Sequence, residues 1–193
     1  MRPRTILRRW WQATNGPADR VPRLVGAAAA TVGAVLLADR EAGFRAWEAR
    51  AAGALLGLST DAAVSVPPSG TSLFWDLGTA RADGVMITAE CTSAYALIVL
   101  LLLTGAVILW PGVRASAVVV AAVAAATVLS GVNLLRILLI ALTIRQWGAD
   151  NWFDLTHVYV GTALSLLAAM LAALVFALLL RRTTGRRRSV PGR

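Results

Sequence analysis

Three residues of this sequence carry side chains that are rare in it and chemically versatile. Cys91 is the only cysteine, His157 is the only histidine, and Arg136 is a charged residue inside a long apolar segment. A thiol, an imidazole and a guanidinium together can perform thiol acyl transfer. The thiolate attacks a carbonyl carbon, the imidazole moves protons, and the cation stabilises the oxyanion. With one cysteine and one histidine, neither an intrachain disulfide nor a Cys/His zinc cluster can form, and we expect no metal and no cofactor.

Cys91 stands directly before an apolar segment, within Glu90-Cys91-Thr92-Ser93. Thr92 or Ser93 is suited to capping the helix predicted to follow. The positive potential at a helix N-terminus favours the thiolate form, which is the nucleophile. The alternative interpretation is a small, inert, buried cysteine, and for Cys91 taken alone that interpretation is the commoner one.

Arg136 and His157 are predicted to lie near the same membrane face as Cys91. If a helix enters the membrane at Ala115, Arg136 lies about 31 Å along its axis, near the far interface. Asn133 is one turn deeper on the same helix face. His157 opens the last apolar segment, where a helix N-terminus keeps the imidazole neutral and able to accept a proton. The alternatives are an arginine that snorkels to the interface and a histidine bonded to water.

The composition places these residues in a membrane protein. Hydrophobic residues make up 58% of the chain and charged residues 15%, which is far more apolar than a soluble domain and excludes a disordered chain. We therefore predict an all-α integral membrane protein with about four transmembrane helices. The predicted spans are 24–38, 94–110, 115–143 and 158–180. The first is short for a hydrocarbon core of about 30 Å, and a signal peptide is its alternative interpretation.

Two further elements are predicted outside the four spans. Apolar residues from Phe44 to Leu58 recur at helical spacing, with Arg45, Glu48 and Arg50 between them, which indicates an amphipathic helix on the membrane surface. The segment 61–90 is rich in turn signals and contains two short strand-like stretches, 73–77 and 85–88. It is predicted to form a small extracytoplasmic cap.

The distribution of arginine predicts the orientation. Thirteen of the 19 basic residues lie on the side of the two termini with a single acid, and the other side holds nine acids. Since arginine excess marks cytoplasmic segments, we predict a multi-pass protein of the cell membrane with cytoplasmic termini and an extracytoplasmic site. The chain then divides into a basic N-terminus at 1–23, a membrane-embedded domain at 24–180 and a basic tail at 181–193. Orientation explains the net charge of +9, so the expected partner is the lipid bilayer and not nucleic acid.

These motifs resemble the exosortase/archaeosortase family of membrane proteins. The resemblance rests on Glu90-Cys91-Thr92-Ser93 before one span, Asn133-Leu134-Leu135-Arg136 late in a later span, and His157 at the start of the last span. It covers about 85–180, half of the chain. Members are regarded as cysteine transpeptidase-like enzymes that process proteins with a C-terminal sorting signal, made of a short motif, a transmembrane helix and a basic tail.

The resemblance implies roles for individual residues. Cys91 would be the nucleophile, Arg136 the stabilising cation and His157 the acid and base, with Arg145 as the substitute if His157 proves dispensable. Supporting or substrate-binding roles fall to Glu90, Thr92, Ser93 and Asn133. The implied activity is that of a cysteine peptidase or transpeptidase that cuts exported surface proteins at the extracytoplasmic face.

Two other functions fit the sequence. In a non-catalytic assembly partner for surface-protein or polysaccharide export, Arg136 would pair with an acid of another subunit. In a small transporter or channel subunit, Arg136 would line an anion path, but the absence of an internal repeat and of a second intramembrane charge argues against this function. Neither alternative predicts a reactive thiol at Cys91.

Overall fold

The computed structural model describes residues 17–68, 70–148 and 155–185 and is mostly helical. The predicted helical class is therefore confirmed, while most of the two basic ends, 1–16 and 186–193, lies outside the described residues. In chain order the elements are α1 (Pro17–Asp39), α2 (Glu41–Ser59), β1 (Val64–Ser65), β2 (Ser72–Trp75), β3 (Asp83–Met86), a 3-10 turn (Ala89–Cys91), α3 (Ala94–Ile108), α4 (Ala115–Trp147), a π-helical turn (Leu155–Val160) and α5 (Gly161–Gly185).

Within the part of the chain that the structure describes, three helical stretches are long and apolar enough to cross a membrane: Arg20–Asp39, Ala115–Trp147 and His157–Arg182. The first reaches 20 residues, about 30 Å, because the helix continues through Arg20 and Arg23 instead of beginning at the apolar run. The short length predicted for this span was therefore wrong. α3 is apolar but has only 15 residues, about 22 Å. The span predicted at 94–110 is therefore shorter in the structure than the other three.

Small side chains bring the long helices together. α5 packs along α4, and α3 packs against α1 and α4. The core between α3, α4 and α5 contains Ile108, Val118, Ala121, Ala125, Leu129, Ala168, Ala172 and Phe176. Alanine at such positions lets helix axes approach closely, which is how helices associate where lipid removes the hydrophobic drive between them. Larger apolar side chains such as Val99, Leu166 and Met170 stay exposed on the outside.

Arg23 of α1 fastens the end of the bundle where α3 turns into α4. Its guanidinium donates hydrogen bonds to the carbonyl oxygens of Ile108 at 3.2 Å, Trp110 at 2.8 Å and Val113 at 2.8 Å. The last carbonyls of a helix have no partner inside the helix. Arg23 supplies these partners and thereby ties α1 to the end of α3.

The cap is an antiparallel sheet in the order β1-β2-β3. Both predicted strands are confirmed, beginning one and two residues earlier than predicted. The sheet, α2 and the last turns of α4 share a second core, whose buried members include Ala49, Ala52, Leu56, Leu73, Trp75, Ile87, Ile137, Ile140, Ala141 and Ile144. With 33 residues, α4 is about 50 Å long and exceeds a hydrocarbon core of about 30 Å. Its last turns pack against the cap.

α2 is a helix, as predicted, but its two faces are not arranged as the amphipathic pattern indicated. The bulky side chains of Trp47, Leu55 and Leu58 are exposed. The face that packs on the sheet and α4 consists mainly of small residues, and it includes Glu48, which is fully buried. Glu48 therefore does not belong to the polar face on which the sequence pattern placed it.

Candidate active site

The thiol of Cys91 and the imidazole of His157 are in direct contact. Cys91 ends the 3-10 turn between β3 and α3, and the distance from its Sγ to Nε2 of His157 is 3.0 Å. The hydroxyl of Thr88 donates to the same sulfur at 3.4 Å. Cys91 is only 6% exposed. Two residues that are 66 positions apart in the sequence thus form the pair expected of an activated cysteine nucleophile and its base.

His157 lies in the π-helical turn Leu155–Val160, which leads directly into α5. Turns of this kind are rare, and they occur frequently at functional sites because the extra residue re-aims the side chains of one turn. His157 is partly exposed. The side chain can accept the thiol proton in one tautomer or donate to the thiolate when protonated.

Arg136 of α4 is buried, with 8% of its surface exposed. Its Nη1 donates to the hydroxyl of Ser165 in α5 at 3.1 Å, while its buried Nε has no hydrogen-bond partner. The guanidinium lies against the backbone of Gly161, where an added Cβ would come within 2.7 Å of Nε. Since Gly161 follows His157 by four residues, Arg136 contacts the same end of α5 as the Cys91–His157 pair.

A cavity of about 260 Å³ opens between α3, α4 and α5 beside the turn that carries Cys91, although neither Cys91 nor His157 is among its lining residues. It is lined by both chain neighbours of Cys91 and by polar groups of α4 and α5, among apolar side chains. Its polar lining residues include Glu90, Thr92, Ser93, Asn133, Arg136 and Ser165. Tyr95, which also lines the cavity, is 53% exposed, so the cavity is accessible from outside. The guanidinium of Arg136 therefore lines an open cavity, while its Nε is buried against Gly161.

The supporting residues named from the sequence lie here, but they do not all act as predicted. Ser93 directly precedes α3 without capping it through its side chain, because its hydroxyl donates to Glu48 at 2.8 Å. Asn133, predicted to bind Arg136 or substrate, donates its side-chain amide to Glu48 at 2.8 Å. Thr92 accepts from the backbone N–H of Ala94 at 3.1 Å, and Glu90 is exposed at the cavity.

Glu48 is the residue of this site that sequence reasoning missed. Its Oε1 accepts three hydrogen bonds, from the backbone N–H and the hydroxyl of Ser93 and from Asn133, while Oε2 is buried without a partner. The spacing of residues along α2 already indicated that Glu48 is buried. Glu48 precedes Ala52 by four residues and Leu56 by eight, so it shares the face that small and apolar residues bury.

Arg145 lies elsewhere, between α4 and the cap. Its guanidinium contacts Asp61 at 2.7 Å and Asp76 at 3.3 Å. The hydrogen bond from Arg145 lowers the pKa of Asp61 below the ordinary value of 3.8. These contacts give Arg145 a structural role in the cap, and the structure does not bring it together with the cavity beside Cys91.

Comparisons with protein-family models, curated proteins and solved structures found no match for this chain. Among the described residues there is also no group of three or more His, Cys, Asp or Glu side chains that could hold a metal ion. The geometry of the site and the motifs of the sequence are therefore what indicate a function.

Proposed function

We propose that this protein is a membrane-embedded cysteine peptidase or transpeptidase that cuts exported proteins near a C-terminal membrane segment. The observation that carries the proposal is the 3.0 Å contact between Sγ of Cys91 and Nε2 of His157. A cysteine and a histidine in hydrogen-bond contact beside a cavity form the minimal machinery of thiol acyl transfer.

The reaction proceeds in two steps. His157 takes the proton of Cys91, and the thiolate attacks the scissile carbonyl carbon to form a tetrahedral oxyanion. The C–N bond then breaks, His157 returns the proton to the leaving amine, and a thioester remains on Cys91. In the second step water or an amine of an acceptor attacks the thioester carbonyl. The thiol is regenerated, with a carboxylic acid or a new amide as the product.

Arg136 is the stabilising cation of this reaction. Its guanidinium lines the cavity and bonds a neutral hydroxyl, that of Ser165, so its charge can act on a carbonyl oxygen of the substrate. Inside a low-dielectric site, a donor of this kind stabilises developing negative charge strongly, because it needs no reorganisation during the reaction. Ser165 and Gly161 hold the guanidinium in place.

The substrate class comes from the resemblance to the exosortase/archaeosortase family. Such substrates end in a short motif, a transmembrane helix and a basic tail, and they meet the enzyme in the lipid bilayer. In this proposal α1, α3, α4 and α5 cross the membrane, with cytoplasmic termini and the cap on the extracytoplasmic side. α3 alone is shorter than the hydrocarbon core. The residues around Cys91 at one end and the turn bound by Arg23 at the other end complete the crossing.

The experiment is a comparison of cells that make the wild-type protein with cells that make Cys91→Ala. The C-termini of exported membrane proteins are measured by mass spectrometry in both. We expect at least one protein to lose its C-terminal helix in wild-type cells and to keep it in the variant. Unchanged C-termini throughout, with both proteins present at equal levels, would contradict the proposal and favour an assembly partner that needs no thiol.

A further inference from the structure

We propose that Glu48 of α2 is a positioning residue, whose carboxylate fixes the turn that carries Cys91 against the helix that carries Arg136. The inference rests on the proposed function, since it assigns the group that holds that site together. Glu48 touches neither Cys91 nor Arg136 through the hydrogen bonds that its carboxylate accepts, and so acts through other residues.

One oxygen atom joins three elements of the fold. Oε1 of Glu48, on α2, accepts from the backbone N–H of Ser93 at 3.1 Å and from its hydroxyl at 2.8 Å. The same atom accepts from Nδ2 of Asn133 at 2.8 Å. Ser93 follows Cys91 by two residues, and Asn133 precedes Arg136 by three, which is one helical turn. The contact therefore ties the nucleophile's turn to the cation's helix.

Together with the contacts of Arg136 and His157, the hydrogen bonds of Glu48 form a closed ring of contacts around the site. Arg136 bonds Ser165 and lies against Gly161 at the start of α5. His157, four residues before Gly161, returns to Cys91 through the 3.0 Å contact. Without Glu48, the turn that carries Cys91 would lose the hydrogen bonds that link it through the carboxylate to α4, and it would be freer to move relative to α5. The Sγ–Nε2 distance then would no longer be fixed.

Fold stability alone does not account for a carboxylate at this position. Glu48 is fully buried, and the donors to its Oε1 are neutral groups. Burial of a carboxylate is costly, and replacement of a buried ionic group by an apolar one of similar size is often neutral or stabilising. Leu56, two turns further along α2 and also fully buried, shows that this face accommodates an aliphatic side chain. The carboxylate thus serves the geometry of the residues it bonds.

The test uses Glu48→Ala, Glu48→Gln and the matched control Leu56→Ala in the full-length protein. Two quantities are measured: cleavage of the substrate found above, and the rate at which iodoacetamide alkylates Cys91 at pH 6. We expect Glu48→Ala to lose about 10²-fold in cleavage, the loss that a misplacement of about 1 Å can cause, and to lose most of its alkylation at pH 6. Glu48→Gln keeps an acceptor oxygen and stays within a few-fold of wild type.

The control separates positioning from loss of stability. Leu56→Ala opens a cavity in the same helix face and lowers the melting temperature, but its folded fraction should cleave and alkylate like wild type. If Glu48→Ala does not accumulate, Asn133→Ala removes one of the three donors and should lose about tenfold in cleavage, by the same geometric sensitivity. Equal losses in Glu48→Ala and Leu56→Ala, or equal losses in Glu48→Ala and Glu48→Gln, would overturn the inference.

The two readouts also keep this inference distinct from the proposed function. If wild-type protein cuts no substrate, but Glu48→Ala alone loses alkylation at pH 6, the positioning role stands and the peptidase function fails. If wild type cuts its substrate and Glu48→Ala cuts it equally well, the function stands and the positioning role is wrong.

Discussion

Arg136 and Arg145 lie on the same helix, nine residues apart, in opposite circumstances. Arg145 contacts two carboxylates, Asp61 at 2.7 Å and Asp76 at 3.3 Å, at the base of the cap. Arg136 is buried beside a cavity, its hydroxyl partner is Ser165, and its Nε has no partner. One region of α4 thus pairs its cation with two acids, and the other leaves its cation without an acidic partner among the described residues.

The difference shows how a single helix can carry both structure and chemistry. A guanidinium that two carboxylates already bind has little left to offer a substrate, and it stabilises the contact between two elements. A buried guanidinium that only a neutral group binds can gain a strong interaction when a carbonyl oxygen becomes negative. The sequence shows two arginines on α4, and only their surroundings separate the roles.

The largest expected effect comes from removal of each arginine in turn. Arg136→Ala should reduce cleavage about 10²- to 10³-fold, the usual cost of one oxyanion donor. Arg145→Ala should stay within a few-fold of wild type, because its partners lie in the cap. The test compares the cleavage rates of the two purified variants at equal folded concentration. Equal losses would show that the two arginines do not differ in role.

A smaller effect is expected from Gly161→Ala, which disturbs Arg136 without changing it. The new methyl group would come within 2.7 Å of Nε and 2.9 Å of Nη2, so the guanidinium must move. A displacement of a few tenths of an ångström to 1 Å should lower cleavage about tenfold or more. Gly131→Ala in α4 is the matched control, since its Cβ meets nothing within 4 Å. If both variants cleave alike, Gly161 does not position Arg136.

The sequence predicted much of this site and little of what supports it. Cys91, Arg136 and His157 stand out because their side chains are rare or expensive in an apolar chain, and the structure brings Cys91 and His157 into contact. The burial of Glu48 was not predicted, because its neighbours on α2, Arg45 and Arg50, made it resemble a residue of a polar face. Burial of a carboxylate depends on donors from α4 and the Cys91 turn, and no pattern within α2 reveals those partners.

The helices were likewise easier to predict than their ends. Apolar runs identified the long helices, but α1 begins before its apolar run and includes Arg23. The guanidinium of Arg23 binds carbonyls at the end of α3 and in the turn that follows, contacts between residues 85 to 90 positions apart. Local propensity carries no information about such contacts, which tie the first part of α1 to the rest of the bundle.

Arg23 binds the end of α3 that lies opposite Cys91, and its removal tests the stability of the fold. Arg23→Ala should lower the free energy of unfolding by about 1–3 kcal/mol, because carbonyls lose a charged donor. Cleavage by the folded protein should not change. The control is Arg40→Ala, since the Arg40–Asp39 pair has side chains that are 83% and 70% exposed, and exposed pairs contribute about 0–1 kcal/mol. Thermal melts of both variants in the same detergent compare them. Equal melting temperatures would show that Arg23 does not fasten this end.

The smallest expected effect is a pH dependence of the cap. Arg145 holds the pKa of Asp61 below 3.8, so the contact stabilises the folded state above about pH 4. This contribution is lost as the pH falls through the lowered pKa, when Asp61 becomes protonated. Hydrogen exchange of residues 72–86 should therefore accelerate as the pH falls below about 4 and through the lowered pKa of Asp61, after correction for intrinsic rates. The acceleration should shrink in Asp61→Asn, and an identical pH response in that variant would exclude Asp61 as its source.

The Cys91–His157 pair can be tested by alkylation of a single residue. Because Cys91 is the only cysteine, every alkylated molecule reports on it, and a small neutral reagent such as iodoacetamide suits a thiol that is 6% exposed. The rate is measured from pH 5 to pH 9 in wild type, His157→Ala and Arg145→Ala. We predict that wild type and Arg145→Ala still react at pH 6, at least tenfold faster than His157→Ala. If all three proteins follow one profile, that of a free thiol, His157 does not activate Cys91 and the proposed chemistry is wrong.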